Sequence, residues 1–301
     1  MQKALKSGVA ALLALSFAAS AMAADAPKAP PTPQEILDAA PATAWKSVAA
    51  EDLVVMNLAD GTQVVYQLAP QFAPVHVANI RQLVRSGYFD GAVILRVQDD
   101  YVVQWGRPDE DKTVAQGIEK HPPAEYDMPA KGLKFKPLPW RDAYAAKAGH
   151  IDSWPAATDG KSDWLVHCYG MIGVARDVAP DTGDSTQLYT IIGHAPRHLD
   201  RNLAVVGRIV AGMDTLAARP RGTEALGFYK TDAERVKIVS AKMASDMPQD
   251  GRPAFQVLSS DTATFDAWLQ ARANRTGAFF VRAAGALDLC NALAPVRKTP
   301  G

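Results

Sequence analysis

The sequence predicts a mainly β protein: a single closed β-barrel with two helices, a long irregular insertion and a small α/β extension at its C-terminal end. Three observations carry that expectation. Short β-branched-rich runs recur between turn residues along most of the chain, which suits an all-β closed architecture. Closure also removes the exposed strand edges that such runs would otherwise present. Within residues 51–245 helices are expected in only two stretches, and the stretch from Arg107 to about Trp164 shows no sustained period.

Taken in order, the first 23 residues read as a signal peptide rather than as part of the fold. Lys3 and Lys6 form a basic start, Val9 to Ala19 is an apolar run too short to span a bilayer, and Ala21-Met22-Ala23 has the small-x-small cleavage pattern. This predicts export, with the periplasm as the expected location. Residues 24–50 are rich in Ala and Pro and read as a linker, with one short helix near Gln34 to Ala39.

The barrel is expected over residues 51–245. Asp52 to Leu58 and Thr62 to Leu68 are strand-like runs joined by Asp60-Gly61, a hairpin signal. Pro74 to Ser86 places Val77, Ile80, Leu83 and Val84 at helical spacing before Gly87. Strands are expected at Ala92 to Val97 and Tyr101 to Gln104, then an irregular insertion over about 107–166. Strands resume at Met171 to Ala175, Gln187 to Ile192, Ala204 to Val210 and Arg235 to Met243, with a short helix at Gly212 to Ala218. In the extension, 246–301, Ala254 to Leu258 and Phe279 to Arg282 read as strands around a helix capped by Ser260 and Asp261. A unit that small does not fold alone, so it is expected to pack on the barrel.

Composition excludes several functions. Lys and Arg total 32 and Asp and Glu total 32, so the net charge is zero and a nucleic-acid partner is not expected. Beyond Ala23 no window holds 18 consecutive apolar residues, so no membrane span is expected. His194 and His198 are separated by a helix-breaking Pro196, and no metal site is expected. Asp159-Gly160-Lys161-Ser162 ends like a phosphate loop, but Pro155 stands where the loop needs Gly. No Gly-x-Ser-x-Gly elbow exists, His167-Cys168 lacks a thiol-protease signature, and no cofactor is expected.

The informative stretch is Ile94-Leu95-Arg96-Val97 followed by Tyr101-Val102-Val103-Gln104-Trp105-Gly106. It puts an Arg and a Gln inside apolar strands, where each needs a partner. Read alone, they are equally a structural pair satisfied by backbone carbonyls. Three further segments bear on them: Asn79 to Gly91, Met171 to Ile191 and His198 to Asp214. Together, in order and spacing over about residues 51–244, these resemble the cyclophilin family of peptidyl-prolyl isomerases.

The resemblance implies an eight-stranded antiparallel barrel capped by two helices, with a proline-peptide groove on its outside. It implies isomerisation of X–Pro bonds, or, in a second reading, a catalytically weak module that binds proline-containing segments. A monomer is expected. Arg96 matches the catalytic arginine and Gln104 the glutamine beside it. Tyr101, Val102, Tyr189 and Leu199 match the proline pocket, Ala175 and Arg176 the pair whose backbone holds the peptide, and Gln187 the second glutamine. His198 stands where cyclosporin-sensitive members have Trp, and Leu203 where they have His. Tyr101 and Tyr189 replace Phe and are expected to add hydroxyls to the pocket wall, and Trp105 replaces Gly.

Two features lie outside the resemblance. Trp140, Trp154, Trp164, Tyr126 and Tyr144 in the insertion either pin it to the barrel, the favoured reading, or form a binding surface. Cys168 and Cys290 are an even pair without Cys-x-x-Cys spacing in an exported chain, so a disulfide is expected over two separately buried thiols.

Overall fold

The computed structural model of the protein describes residues 30–111 and 113–300. The expected signal peptide, residues 1–23, lies outside the described residues. In chain order, helix α1 (Pro33–Asp38) and strand β1 (Trp45–Ser47) precede the barrel. Then come β2 (Leu53–Leu58), β3 (Gln63–Leu68), α2 (Pro74–Arg85), β4 (Val93–Gln98) and β5 (Val102–Gly106). The insertion contributes β6 (Met128–Pro129), β7 (Phe135–Pro137), β8 (Lys147–Ile151), β9 (Trp154–Thr158) and β10 (Ser162–Leu165). The barrel resumes with β11 (Met171–Val174), β12 (Gln187–Ile191), β13 (Val205–Ala211), α3 (Met213–Ala217) and β14 (Ile238–Met243). The extension holds β15 (Phe255–Leu258), α4 (Ala263–Ala273) and β16 (Val296–Lys298).

The barrel is one eight-stranded antiparallel sheet in the order β14-β2-β3-β13-β11-β12-β5-β4. Its two edges meet through a bridge between Val93 and Lys237 and hydrogen bonds linking Ala92 and Ile94 to Ile238 and Val236, which nearly closes it. The first hairpin turns at Gly61, whose φ of +85° is costly for other residues. Alternation along each strand sends Tyr66, Val103, Trp105, Ile172, Leu188 and Val206 into one interior cluster. Helix α2 adds Val77, Ile80, Leu83 and Val84 to that cluster, and α3 adds Leu216. Trp105 fills the interior beside Tyr66, with ring centroids 6.2 Å apart, so the replacement of a small residue there is a packing change inside the barrel.

Four expectations are corrected. The insertion is not an irregular loop: β6-β10-β9-β8-β7 form a five-stranded antiparallel sheet. Its strands are rich in Ala, Gly and Pro, and β9 is buried throughout, so no alternation marks it in the sequence. Residues 30–50 are not a linker either. Trp45–Ser47 pairs with β15, α1 packs on α4, and Arg297 lies 3.9 Å from the centroid of the Trp45 ring. Phe279 to Arg282 is not a strand. Phe279 and Val281 are exposed and unpaired, and β16 takes the third place in the β1-β15-β16 sheet. Finally, the cap of α4 is Thr262, whose hydroxyl accepts from Phe265 N–H, whereas Ser260 bonds Ser153.

The insertion and the extension share a second core. Trp154, Trp164 and Leu165 pack with Phe265, Trp268 and Leu289, together with Phe72 and Met171 of the barrel unit. Trp140 and Tyr126 line that core or the barrel cluster, and the Trp140 indole N–H donates to the Gly285 carbonyl at 2.9 Å. The rings of Tyr126, Trp140, Trp154 and Trp164 therefore hold the insertion in place, whereas Tyr144 is exposed. Glu125 fastens it further by accepting from the Val75 and His76 N–H groups in the first turn of α2. Cys168 and Cys290 form a disulfide between the barrel unit and the extension, with Cα atoms 5.1 Å apart.

Candidate active site

Strand register puts four residues in one row across the barrel's outer face. Arg96 of β4 stands opposite Gln104 of β5, Gln104 opposite Tyr189 of β12, and Tyr189 opposite Gly173 of β11. Their neighbours Ile94, Val97, Val103, Trp105, Leu188 and Ile172 point into the barrel, so the row points out. A bulge between Ile94 and Arg96 sets the arginine into this register.

The polar half of the row is a chain of hydrogen bonds. Arg96 Nη1 donates to Gln104 Oε1 at 3.3 Å, and Gln104 Nε2 donates to Gln187 Oε1 at 2.8 Å. Gln187 Nε2 in turn donates to the Arg107 carbonyl at 3.4 Å. The other guanidinium donors are held as well: Nε by the Leu226 carbonyl at 2.6 Å, and Nη2 by Gln98 Oε1. The guanidinium also lies 5.7 Å from the centroid of the Tyr101 ring and 5.4 Å from that of Phe228. Partial burial pulls the Arg96 pKa below its ordinary value, with Tyr101 opposing the shift. Arginine remains charged through such a shift.

The apolar half adjoins it. Val102, Tyr189 and Ile191 form a small buried cluster, against which Tyr101, Ala175 and Leu203 pack. His198 stacks on Tyr101, with centroids 6.2 Å apart and planes 8° from parallel. Leu199 sits on the same 3-10 turn, half-buried and outside that cluster. The Ala175 N–H donates to the Gln187 carbonyl at 3.0 Å. The Arg176 guanidinium turns away to the Asn202 carbonyl and lies over the Tyr126 ring of the insertion.

The profile of the family described as "Cyclophilin type peptidyl-prolyl cis-trans isomerase/CLD" matches residues 53–243. The chain belongs to that family. A cyclophilin-type isomerase, it is similar to proteins named "Probable peptidyl-prolyl cis-trans isomerase" from Brucella suis and Brucella abortus. The identities are 27% and 26% over 196 residues, which is 65% of this chain and 84% of each of those proteins. A crystal structure of the cyclophilin AquaCyp293 from Hirschia baltica superposes with a TM-score of 0.63 at 24% identity. It covers 84% of this chain and 93% of that one, a likeness of fold.

One expectation about this isomerase's pocket changes. The Tyr189 hydroxyl is taken up by a buried residue that is not among the expected pocket residues: it meets His167 Nε2 at 2.9 Å. The sequence reading also missed residues around Arg96. Gln98, Leu226 and Phe228 supply an acceptor, a carbonyl and a ring to the guanidinium. Gln98 follows Arg96 with the period of one strand face and was there to be found. Leu226 and Phe228 sit in a loop without a period, some 130 residues on.

Proposed function

We propose that this isomerase acts on X–Pro bonds of exported polypeptides, assists their folding in the periplasm, and does so with Arg96 as its catalytic group. The observation that carries the catalytic part is the Arg96–Gln104–Gln187 hydrogen-bond chain set beside the apolar cluster of Tyr101, Val102 and Tyr189. An X–Pro amide resists rotation by roughly 18–20 kcal/mol because it is conjugated. Rotation needs no nucleophile, acid or base. It needs the twisted amide to be favoured over both planar forms. Twisting localises a lone pair on the proline nitrogen, and a guanidinium aimed there stabilises the twisted form selectively. Gln104 orients Arg96, while the apolar cluster takes the proline ring and excludes water. Ala175, Arg176 and Gln187 hold the peptide backbone, with His198, Leu199 and Leu203 at the groove's far side.

Export is supported by the Lys3 to Ala23 pattern and by the Cys168–Cys290 disulfide, a bond favoured in oxidising compartments. The catalytic test compares isomerisation of an Ala-Ala-Pro-Phe peptide by the wild type and Arg96→Ala. A loss of about a hundredfold or more is expected. Equal rates would replace this reading with that of a proline-segment binding module. For export, cell fractionation of the full chain against one lacking residues 2–23 should put only the full chain in the periplasm. Equal retention in the cytoplasm refutes it.

A further inference from the structure

Resting on the isomerase reading above, we infer that His167 is a positioning residue of the proline pocket, acting through the hydroxyl of Tyr189. The same geometry makes the insertion part of the pocket's support. His167 is buried, and its ring lies parallel to the Tyr189 ring, 6.2 Å between centroids and 6° between planes. Its Nδ1 lies 3.0 Å from Asp200 Oδ1, and the same oxygen accepts from the His167 backbone N–H at 3.0 Å. A carboxylate only accepts, so Nδ1 carries a proton, and the tautomer with its proton there leaves Nε2 as the acceptor. The Tyr189 hydroxyl then donates to Nε2 at 2.9 Å.

Asp200 is fixed in its turn. Its second oxygen accepts from Arg197 Nε at 2.6 Å, and Arg197 forks onto Asp142 at 2.8 and 3.0 Å. The side chains of Arg197, Asp142 and Asp200 are each less than a tenth exposed. Asp142 belongs to the insertion, where the Tyr144 and Ala145 N–H groups hold its Oδ1 at 2.8 and 2.9 Å. An unbroken buried series therefore runs from the insertion to the pocket ring.

The tyrosine ring also needs the room that Gly173 leaves. A Cβ there would fall 2.3 Å from Tyr189 Cζ and Oη. With its hydroxyl donated to His167, Tyr189 offers the groove only carbon. Without the acceptor, the buried hydroxyl has no partner and the ring is free to leave its place.

The test is a double-mutant cycle on kcat and KM for the Ala-Ala-Pro-Phe peptide. His167→Leu is expected to lower kcat/KM about tenfold, chiefly through KM. His167→Gln, which keeps an acceptor, should recover most of that loss. In a Tyr189→Phe background, both His167→Leu and Asp142→Asn should change kcat/KM less than about twofold. A tenfold loss that persists with Phe at 189, or a Gln variant no better than Leu, overturns the inference. If His167→Leu does not fold, the cycle is run with His167→Gln and His167→Asn, which differ in the reach of their acceptor oxygen. The Arg96→Ala control keeps the two readings apart. Turnover indifferent to Arg96 refutes the isomerase assignment, and the same cycle is then read as peptide Kd by calorimetry, with the same coupling expected.

Discussion

Gly173 and Tyr189 are register partners on adjacent strands, and the tyrosine ring occupies the space that any side chain at 173 would need. A Gly173→Ala chain must move a buried ring or its own strand. Overpacking of this kind costs about 1–3 kcal/mol. The expected outcome is a lower urea midpoint and a loss of peptide turnover. Adding Tyr189→Leu should restore the midpoint, because the obstructing atoms go, but not the turnover, because the pocket wall goes with them. Independent, additive losses would show that the two positions do not share this space.

Gln104 accepts from Arg96 and donates to Gln187. A Gln104→Leu substitution keeps the bulk and removes both bonds. Arg96 Nε and Nη2 stay held by Leu226 and Gln98, so the guanidinium loosens rather than leaves. A fall in kcat of about tenfold with a small change in KM is expected from steady-state rates. A wild-type kcat would mean that Gln104 does not orient the arginine.

How much of this was legible in the sequence depended on where each residue's partner lay. The barrel strands are readable because they are β-branched-rich runs that end in turn residues such as Asp60-Gly61. Arg96, Gln104 and Gln187 stand out as polar groups in apolar strands, spaced as in a known family. The strands Lys147–Ile151 and Trp154–Thr158 do not stand out. Apart from Lys147 they are buried on both faces, and Ala148, Gly149, Pro155, Ala156 and Ala157 make up half of them, so no alternation marks them and strong β-formers are few. Trp45–Ser47 becomes a strand only by pairing with Gln256–Leu258, far along the chain. His167 reads in the sequence only as half of a His167-Cys168 pair without a thiol-protease signature, since its partners Tyr189 and Asp200 are 22 and 33 residues away.

Cyclosporin is expected to bind poorly. Cyclosporin-sensitive cyclophilins carry Trp at the place of His198, which here stacks on Tyr101 and offers less apolar area and a polar edge. His198→Trp should recover part of the affinity in a calorimetric titration. Tight binding by the wild type would refute the expectation.

His150 gives stability a dependence on pH. Burial holds its pKa down to about 4, with the Ala292 carbonyl opposing the shift by accepting from Nε2. In the unfolded chain the imidazole titrates near its ordinary 6.5. Between those values the unfolded state binds the extra proton, so stability falls as pH drops from about 6.5 towards 4. The full effect is at most about 3 kcal/mol. Urea midpoints should decline through that window for the wild type and decline less for His150→Gln. Carboxylates such as Asp111, held down near pKa 2 by bonds from Thr113 and Arg107, add their loss only at lower pH. Parallel pH profiles for the two chains would remove His150 as the cause.

The disulfide closes a loop with a sequence separation of 122 residues, between Cys168 in the second core and Cys290 in the extension. In the chain-entropy account, such a crosslink acts by restricting the unfolded chain and contributes up to ~5 kcal/mol. The extension has other holds on the rest of the molecule. Phe265, Trp268 and Leu289 are buried in the shared core, and Trp45–Ser47 pairs with β15. Cys290→Ser is therefore expected to lower the urea midpoint markedly without releasing the extension at low denaturant. Limited proteolysis distinguishes the two effects. Cleavage in the exposed 275–286 stretch should be as fast in Cys290→Ser as in the oxidised wild type when no denaturant is present. The faster unfolding of the variant should appear only as urea is added. Equal midpoints for Cys290→Ser and the oxidised wild type would show that the bond carries no stability. Release of the whole extension without denaturant would show that it carries nearly all of the docking.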